Sequence, residues 1–189
     1  MATAKALDIA MLPASAWADS QLMAVLNDLI NDVYAVAEEG LWVPGAARTT
    51  MARVAELAHR GQLAVAWMDG QIVGCIRIQL PEHGIGEFGM LAVVPAHRGI
   101  GVGRDLVRFA EQAALDEGCD TMQLEVLVPR GCSHPSKDFL ISWYTRAGYR
   151  QVRVGAIEES YPELAPLLAA ACDYVIYHKR LGRRLTAPG

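Results

Sequence analysis

The stretch His97-Arg98-Gly99-Ile100-Gly101-Val102-Gly103 sets glycines at alternate positions beside a fixed positive charge. Glycines so placed let a backbone approach a ligand closely and adopt positive φ where needed. An apolar run from Phe88 to Val94 leads in through Pro95-Ala96, and an amphipathic pattern leads out from near Gly103. The first amides of a helix have no intrahelical acceptor, which favours a bound phosphate. The local prediction is strand, phosphate-cradling turn, helix.

Three phosphate-binding signatures compete for this turn. A P-loop needs Gly-Lys-Ser/Thr after the glycines, and that is absent. A dinucleotide fingerprint needs GxGxxG directly after the strand, but Leu106 follows Gly101-x-Gly103 and Pro95 to Arg98 intervene. The third, R/Q-x-x-G-x-G/A, is matched by Arg98, Gly101 and Gly103.

The flanking elements must position this turn. Lys5 to Met11 reads as a strand closed by Pro13, and Asp19 or Ser20 caps a helix with the stripe Leu22, Val25, Leu26, Leu29, Ile30 and Val33. Thr49 or Thr50 caps a second helix that buries Val54, Leu57 and Ala58 and stops at Gly61. Asp69-Gly70 joins Leu63–Met68 to an alternating strand as a hairpin, with Ile72, Ile76, Ile78 and Leu80 on one face and Arg77 and Gln79 on the other. Pro81 to Gly86 breaks the pattern, and a strand runs from Gly86 to Val94. After the turn, Leu106, Val107, Ala110, Ala113 and Ala114 stripe a helix ending at Gly118, and Thr121 to Val128 is a strand, completing a parallel crossover. Helices over 137–147 and 162–171 and strands over 149–154 and 173–179 complete the chain. The expected fold class is α+β, one domain over 1–189. It has a mixed, mostly antiparallel sheet of about six to seven strands and about four to five helices, with core motifs at 62–152 and a flexible tail over 181–189.

With its preceding Leu91-Ala92-Val93-x-Pro95, the glycine turn closely resembles motif A of the GNAT superfamily of acyl-CoA N-acyltransferases. Trp143-Tyr144-Thr145-Arg146-Ala147-Gly148-Tyr149 is similar to the Y-x-x-x-G-F/Y element closing the family's motif B. The resemblance covers roughly Gln62 to Val152. It implies a splayed central parallel pair of strands, ending near Val93 and Val126. The pantetheine arm of acetyl-CoA would lie between them, bonded to backbone groups of Leu91, Ala92 and Val93. The pyrophosphate would sit on the amides of Arg98, Gly99, Ile100, Gly101, Val102, Gly103 and Arg104. One departure stands out: the family often has an asparagine seven residues before the tyrosine, where this chain has Lys137, and Ser136 or Lys137 could reach the coenzyme instead.

Transfer of an acetyl group to an amine needs a neutral amine, a polarised carbonyl and a proton for the leaving thiolate. The family's usual course is direct attack in a ternary complex. No residue beside a cysteine suggests an activated thiol for a covalent route. By resemblance Tyr144 is the acid, its hydroxyl pointing at the coenzyme sulfur; structurally it could simply anchor its helix. Glu87 is the base candidate, acting through water, against a solvated strand-start glutamate. Strand alternation puts Glu87, Gly89 and Leu91 on one face and Phe88, Met90 and Ala92 on the other. Glu38, Glu39 and Trp42, and Glu158, Glu159 and Tyr161, are acceptor-site candidates by position in the family and exposed loop residues otherwise. His97 reads as a surface residue of the turn. Cys132-x-His134 has no companion ligands, so no metal is expected.

Charge and composition bound the partners. The formal net charge is −4 across 189 residues, which argues against a nucleic-acid binder. Helix-terminal amides can nonetheless hold a pyrophosphate in an acidic protein. The one basic concentration, Lys179-Arg180 with Arg183-Arg184, reads as a solvated tail. The scattered cysteines suit reduced thiols. No run is long enough to span a membrane and the N-terminus lacks a signal-peptide core, so the expected location is cytoplasmic. The expectation is an acetyl-CoA-dependent N-acetyltransferase acting on a primary amine of a small molecule or an exposed protein amine. A non-catalytic acyl-CoA-binding or sensing module is the competing class, and homodimerisation is left open.

Overall fold

A computed structural model describes residues 6–81 and 84–182. The expected strand start at Lys5, Glu82 and His83 of the Pro81–Gly86 break, and the tail from Arg183 onward lie outside these residues. The elements run β1 (Leu7–Met11), α1 (Ser20–Ala37), α2 (Met51–His59), β2 (Leu63–Met68), β3 (Gln71–Gln79), β4 (Ile85–Val93), α3 (Val102–Asp116), β5 (Thr121–Pro129), α4 (Pro135–Arg146), β6 (Arg150–Gly155), α5 (Ile157–Ser160) and β7 (Cys172–Arg180). The strands form one seven-stranded sheet in the order β1-β2-β3-β4-β5-β7-β6. Among the described residues only β4 and β5 pair in parallel, so the α+β class and the mostly antiparallel sheet stand as read.

Local chemistry explains the ends of these elements. The Asp19 carboxylate accepts the amides of Gln21 and Leu22, and the Thr50 hydroxyl accepts that of Arg53. At the β2–β3 hairpin, Asp69 (φ 52°) and Gly70 (φ 76°) both take the positive φ that a type I′ turn demands. The buried face of α1 is Met23, Leu26, Ile30 and Val33, whereas Val25, placed in the stripe by spacing, is 45% exposed.

Inserted residues overturn simple alternation in two strands. Between Ala66↔Gly74 and Trp67↔Ile72 the β3 strand carries an extra residue, Val73. Ile72 therefore packs with the α1–α2 cluster while Ile76 and Ile78 join the cluster under α3. The second insertion lies between Cys75↔Ala92 and Arg77↔Gly89, with Met90 in a left-handed conformation at φ 49°. Phe88, Leu91 and Val93 now face the α3 side and Met90 and Ala92 the α1–α2 side, so Leu91 leaves the face of Glu87 expected of it.

Three further expectations need correction. Instead of a helix over 162–171 there is one 3-10 turn, Ala165–Leu167, preceded by the short α5; Pro166, in the interior of the expected helix, removes a backbone donor that a continuous helix would need. Lys179 and Arg180 belong to β7 rather than to a solvated tail, with Lys179 Nζ 2.8 Å from Glu111. Leu181, expected to be flexible, is buried, and its amide donates to the Asp120 carbonyl.

A buried ion pair joins α4 to the end of α1: Lys137 Nζ lies 2.6 Å from Glu38 Oε1, with side chains only 4% and 5% exposed. The Trp42 indole N–H donates to the other oxygen of the same carboxylate at 2.7 Å. Removing one partner strands a buried charge, which is worse than removing both. Lys137→Met is expected to lower unfolding free energy by roughly 3–5 kcal/mol in denaturant titration. Adding Glu38→Gln to it should recover most of that loss; an unchanged K137M midpoint would show that the pair holds nothing.

Candidate active site

The parallel pair β4–β5 is registered only at Ile85↔Thr121, Gly86↔Met122 and Glu87↔Gln123. Beyond Glu87 the two strands part, and the opening runs into a cleft of about 1070 Å³. The cleft is bounded by the end of α1, the start of α3, α4 and the segment around Tyr161. That volume exceeds the usual range for a drug-sized ligand.

At one end stands the glycine turn. Gly101 caps α3 at φ 105°, and a Cβ there would lie 2.8 Å from Arg104 Nη2. Gly103 has no positive φ. Its bare side faces Val93 and Trp143, where a Cβ would occupy cleft space at ordinary contact distance. Close backbone approach thus rests on Gly101, and open space on Gly103. The amides from Gly99 through Arg104 have no hydrogen-bond partner among the described residues, because the first helix-closing bond outside α3 itself is Asp105 N–H to the Gly101 carbonyl. This run of free donors at a helix N-terminus fits an anionic group such as a pyrophosphate. Arg98 is exposed at the mouth, and Arg104 is held by Asp105 at 3.0 Å. His97, expected on the surface, is half-buried on the cleft wall, with its Nδ1 buried and unpartnered.

Tyr144 comes from α4 and reaches the splayed gap. It is 6% exposed and packs tilted against Phe88 and Trp143, with ring centroids 6.0 and 4.8 Å away. Its hydroxyl has no hydrogen-bond partner among the described residues, and burial pushes its pKa far up, so it stays a proton donor. Tyr149 differs: its hydroxyl donates to Glu111 at 2.8 Å, an anchoring bond.

Polar side chains gather on the sheet face opposite the α3 cluster. Glu87 lies 3.1 Å from Arg77 Nη2 and accepts from Gln123 at 3.2 Å. Burial, and then the nearby Glu125 carboxylate, raise its pKa, while Arg77 pulls the other way without prevailing. Arg77 donates to the Tyr161 hydroxyl at 3.1 Å and to Gln79. The Tyr174 hydroxyl donates to Glu125, which also accepts from Gln123 at 3.2 Å. Arg48 stacks over the rings of Tyr34 and Tyr161, at 5.2 and 5.9 Å from their centroids.

The remaining candidates separate cleanly. Glu38, Trp42 and Tyr161 line the cleft, but Glu38 is a buried ion-pair partner rather than an exposed loop residue. Glu39 and Glu158 are exposed, and Glu159 pairs with Arg153 at the surface. Lys137, at the family's asparagine position, lines the cleft while held by Glu38. No three metal-ligating side chains cluster among the described residues. All four cysteines are free, and burial pushes the Cys75 thiol up to about 12.

Sequence reasoning missed Arg48 and Glu125 and left Arg77 as a strand-face residue. Alternation carried a signal for Glu125, which with Gln123 forms a polar face opposite Met122, Leu124 and Val126. Arg48 offered none, since only folding brings its loop to Tyr161.

Comparison with known proteins follows this geometry. Residues 27–149 match the sequence model of the Acetyltransferase (GNAT) family. An aminoalkylphosphonate N-acetyltransferase of Salmonella typhimurium is 30% identical over 92 residues, covering 46% of this chain and 55% of the relative, so the match spans about half of that protein. A GNAT-family acetyltransferase from Staphylococcus aureus aligns with TM-score 0.66 at 15% identity, over 94% of this chain and 100% of the other. N-acetylglutamate synthase from Neisseria gonorrhoeae, solved with coenzyme A and N-acetyl-glutamate, aligns with TM-score 0.62 at 16% identity, over 96% of this chain and 36% of the other. A PaiA N-acetyltransferase from Thermoplasma acidophilum, in complex with coenzyme A, gives 0.60 at 14% identity, over 93% and 99%. At these identities the solved structures speak for the fold alone. The matched span, taking in the glycine turn and the Tyr144 helix, is well over half the sequence, and the chain belongs to the GNAT acetyltransferase family.

Proposed function

We propose that the protein is an acetyl-CoA-dependent N-acetyltransferase that acetylates a primary amine by direct attack in a ternary complex. The observation that carries this reading is the pairing of two features at one cleft: the free amides of Gly99 to Arg104 and the unpartnered hydroxyl of Tyr144. In this reading the amides from Gly99 to Arg104 receive the pyrophosphate, the Arg98 amide expected among them being spent on the Pro95 carbonyl, and the backbone of Leu91, Ala92 and Val93, unpaired with β5, receives the pantetheine arm. When bound, acetyl-CoA supplies a thioester whose acyl carbon takes the amine nitrogen and whose carbon–sulfur bond breaks.

The chain's own groups manage the protons. Glu87 receives the proton of the incoming ammonium, through water, and its raised pKa makes it a stronger base than an ordinary glutamate. Tyr144 holds a proton ready for the departing sulfur, since burial keeps its hydroxyl neutral. No cysteine among the described residues lines the cleft, which supports direct transfer rather than a covalent cysteine intermediate.

Thiol release from acetyl-CoA across a panel of amines tests the reading as a whole. Tight coenzyme A binding with no thiol release for any amine would instead favour a sensing module. Tyr144→Phe should lower kcat by on the order of 10²-fold with little change in coenzyme A affinity; an undiminished kcat with chemistry rate-limiting would make Tyr144 a packing residue. Gly101→Val should weaken coenzyme A binding in calorimetry, because φ 105° opposes a β-branched side chain.

The pH profile gives a signed expectation. Glu87 must be ionised to act, so kcat/KM should climb with pH through an apparent pKa above that of a free glutamate. Glu125→Gln removes a like charge that raises that pKa, so the acid limb should move to lower pH. A limb unmoved in E125Q and present in Glu87→Gln would remove Glu87 from the role.

A further inference from the structure

The cleft holds more charge than proton transfer requires, and most of it is already compensated. Glu38 is neutralised by Lys137, and Arg77 by Glu87. Away from the exposed rim, where Arg98 and Glu163 are also unpaired, two groups are left without an ion-pair partner among the described residues: the Arg48 guanidinium and the Glu125 carboxylate. Arg53, also at the rim, pairs with Glu56 at 2.6 Å.

Arg48 is the more telling of the two. It makes no hydrogen bond to any described residue, and its Nε is buried without a partner. Its flanking rings offer only their faces, and burial raises the Tyr34 pKa to about 12, so that phenol stays neutral beside it. This half-buried guanidinium, its Nε shut away without an acceptor, is suited to an anion that accepts two parallel N–H donations. The Glu125 carboxylate lies near Glu87, and its bonds come from neutral donors, Tyr174 and Gln123. The edge-to-face pair Tyr161–Tyr174, with centroids 5.8 Å apart, separates the cationic from the anionic end.

We propose that Arg48 binds an anionic oxoacid group of the acceptor, so that the acceptor is a small zwitterion: a primary amine carrying a carboxylate or phosphonate. This rests on the N-acetyltransferase reading above and adds to it the class of amine. The ammonium end lies toward Glu125 and Glu87, where the proton must leave, and the anion lies beyond Tyr161 against Arg48. The fixed charges at the two ends then select against monoamines without an acidic group, because such a ligand leaves the guanidinium half-buried and unpaired. A long peptide amine is selected against for the same reason.

The test is calorimetric binding of 2-aminoethylphosphonate, 3-aminopropanoate and propylamine to the full chain saturated with coenzyme A, which needs no turnover. At least one of the two zwitterions should bind roughly ten- to hundredfold more tightly than propylamine, in keeping with a charge-assisted contact. The carboxylate and phosphonate arms show which oxoacid is preferred. Arg48→Met should collapse the preference toward unity, and Arg48→Lys should retain part of it. Should R48M fail to fold, the wild-type preference and R48K still decide the matter. Equal or tighter binding of propylamine, no binding of either zwitterion, or a preference intact in R48M would overturn the proposal. The N-acetyltransferase reading fails separately, if no amine elicits thiol release.

Discussion

The parting of β4 from β5 after Glu87 is the constraint on which the rest of the molecule depends. Two parallel strands that stayed registered to their ends would fill the sheet and leave no cleft. Here they share hydrogen bonds only from Ile85 to Glu87, and the extra residue at Met90 turns the rest of β4 away from simple alternation. The bulge stores strain, since a methionine at φ 49° is in a region that L side chains rarely adopt. That cost is sustained because Met90 and Ala92 pack into one core while Leu91 and Val93 pack into the other. Backbone groups of β4 that a closed sheet would pair with β5 become instead part of the wall of the cleft.

The opened gap divides the work between its two sides. Toward α3 and α4 the lining is a helix N-terminus and aromatic rings, suited to a phosphate and a long thin chain. Toward β3, β5 and β7 it is a connected polar face: Tyr161 to Arg77, Arg77 to Glu87, Glu87 to Gln123, Gln123 to Glu125, Glu125 to Tyr174. Each link fixes a side chain that would otherwise need ordering. Glu87 and Tyr144 stand at the junction of the two sides.

Much of this was legible in the sequence, and what was not has physical causes. The glycine turn, the caps at Asp19 and Thr50, the Asp69-Gly70 hairpin and the α3 stripe are local signals, set by residues within a few positions of one another. The bulges at Val73 and Met90 were not, because neither inserted residue has a composition that marks it; both are ordinary strand formers. Glu38 and Lys137 lie 99 positions apart, and each alone reads as a surface charge. Arg48 sits in a loop without periodicity, and its significance lies in lacking partners, which no sequence pattern records. The Pro162–Ala171 helix failed for a local reason that was available, the interior Pro166.

The Glu38–Lys137 clasp has a consequence for how ligands meet this cleft. By tying the first turn of α4 to the last of α1, it locks together the two walls that face each other across the opening. The conformational entropy of bringing those walls to their working separation is therefore spent during folding, not at the encounter with a ligand. The side chains of α4, Tyr144 among them, enter each binding event already in place, and affinity need not be diverted into assembling the chamber.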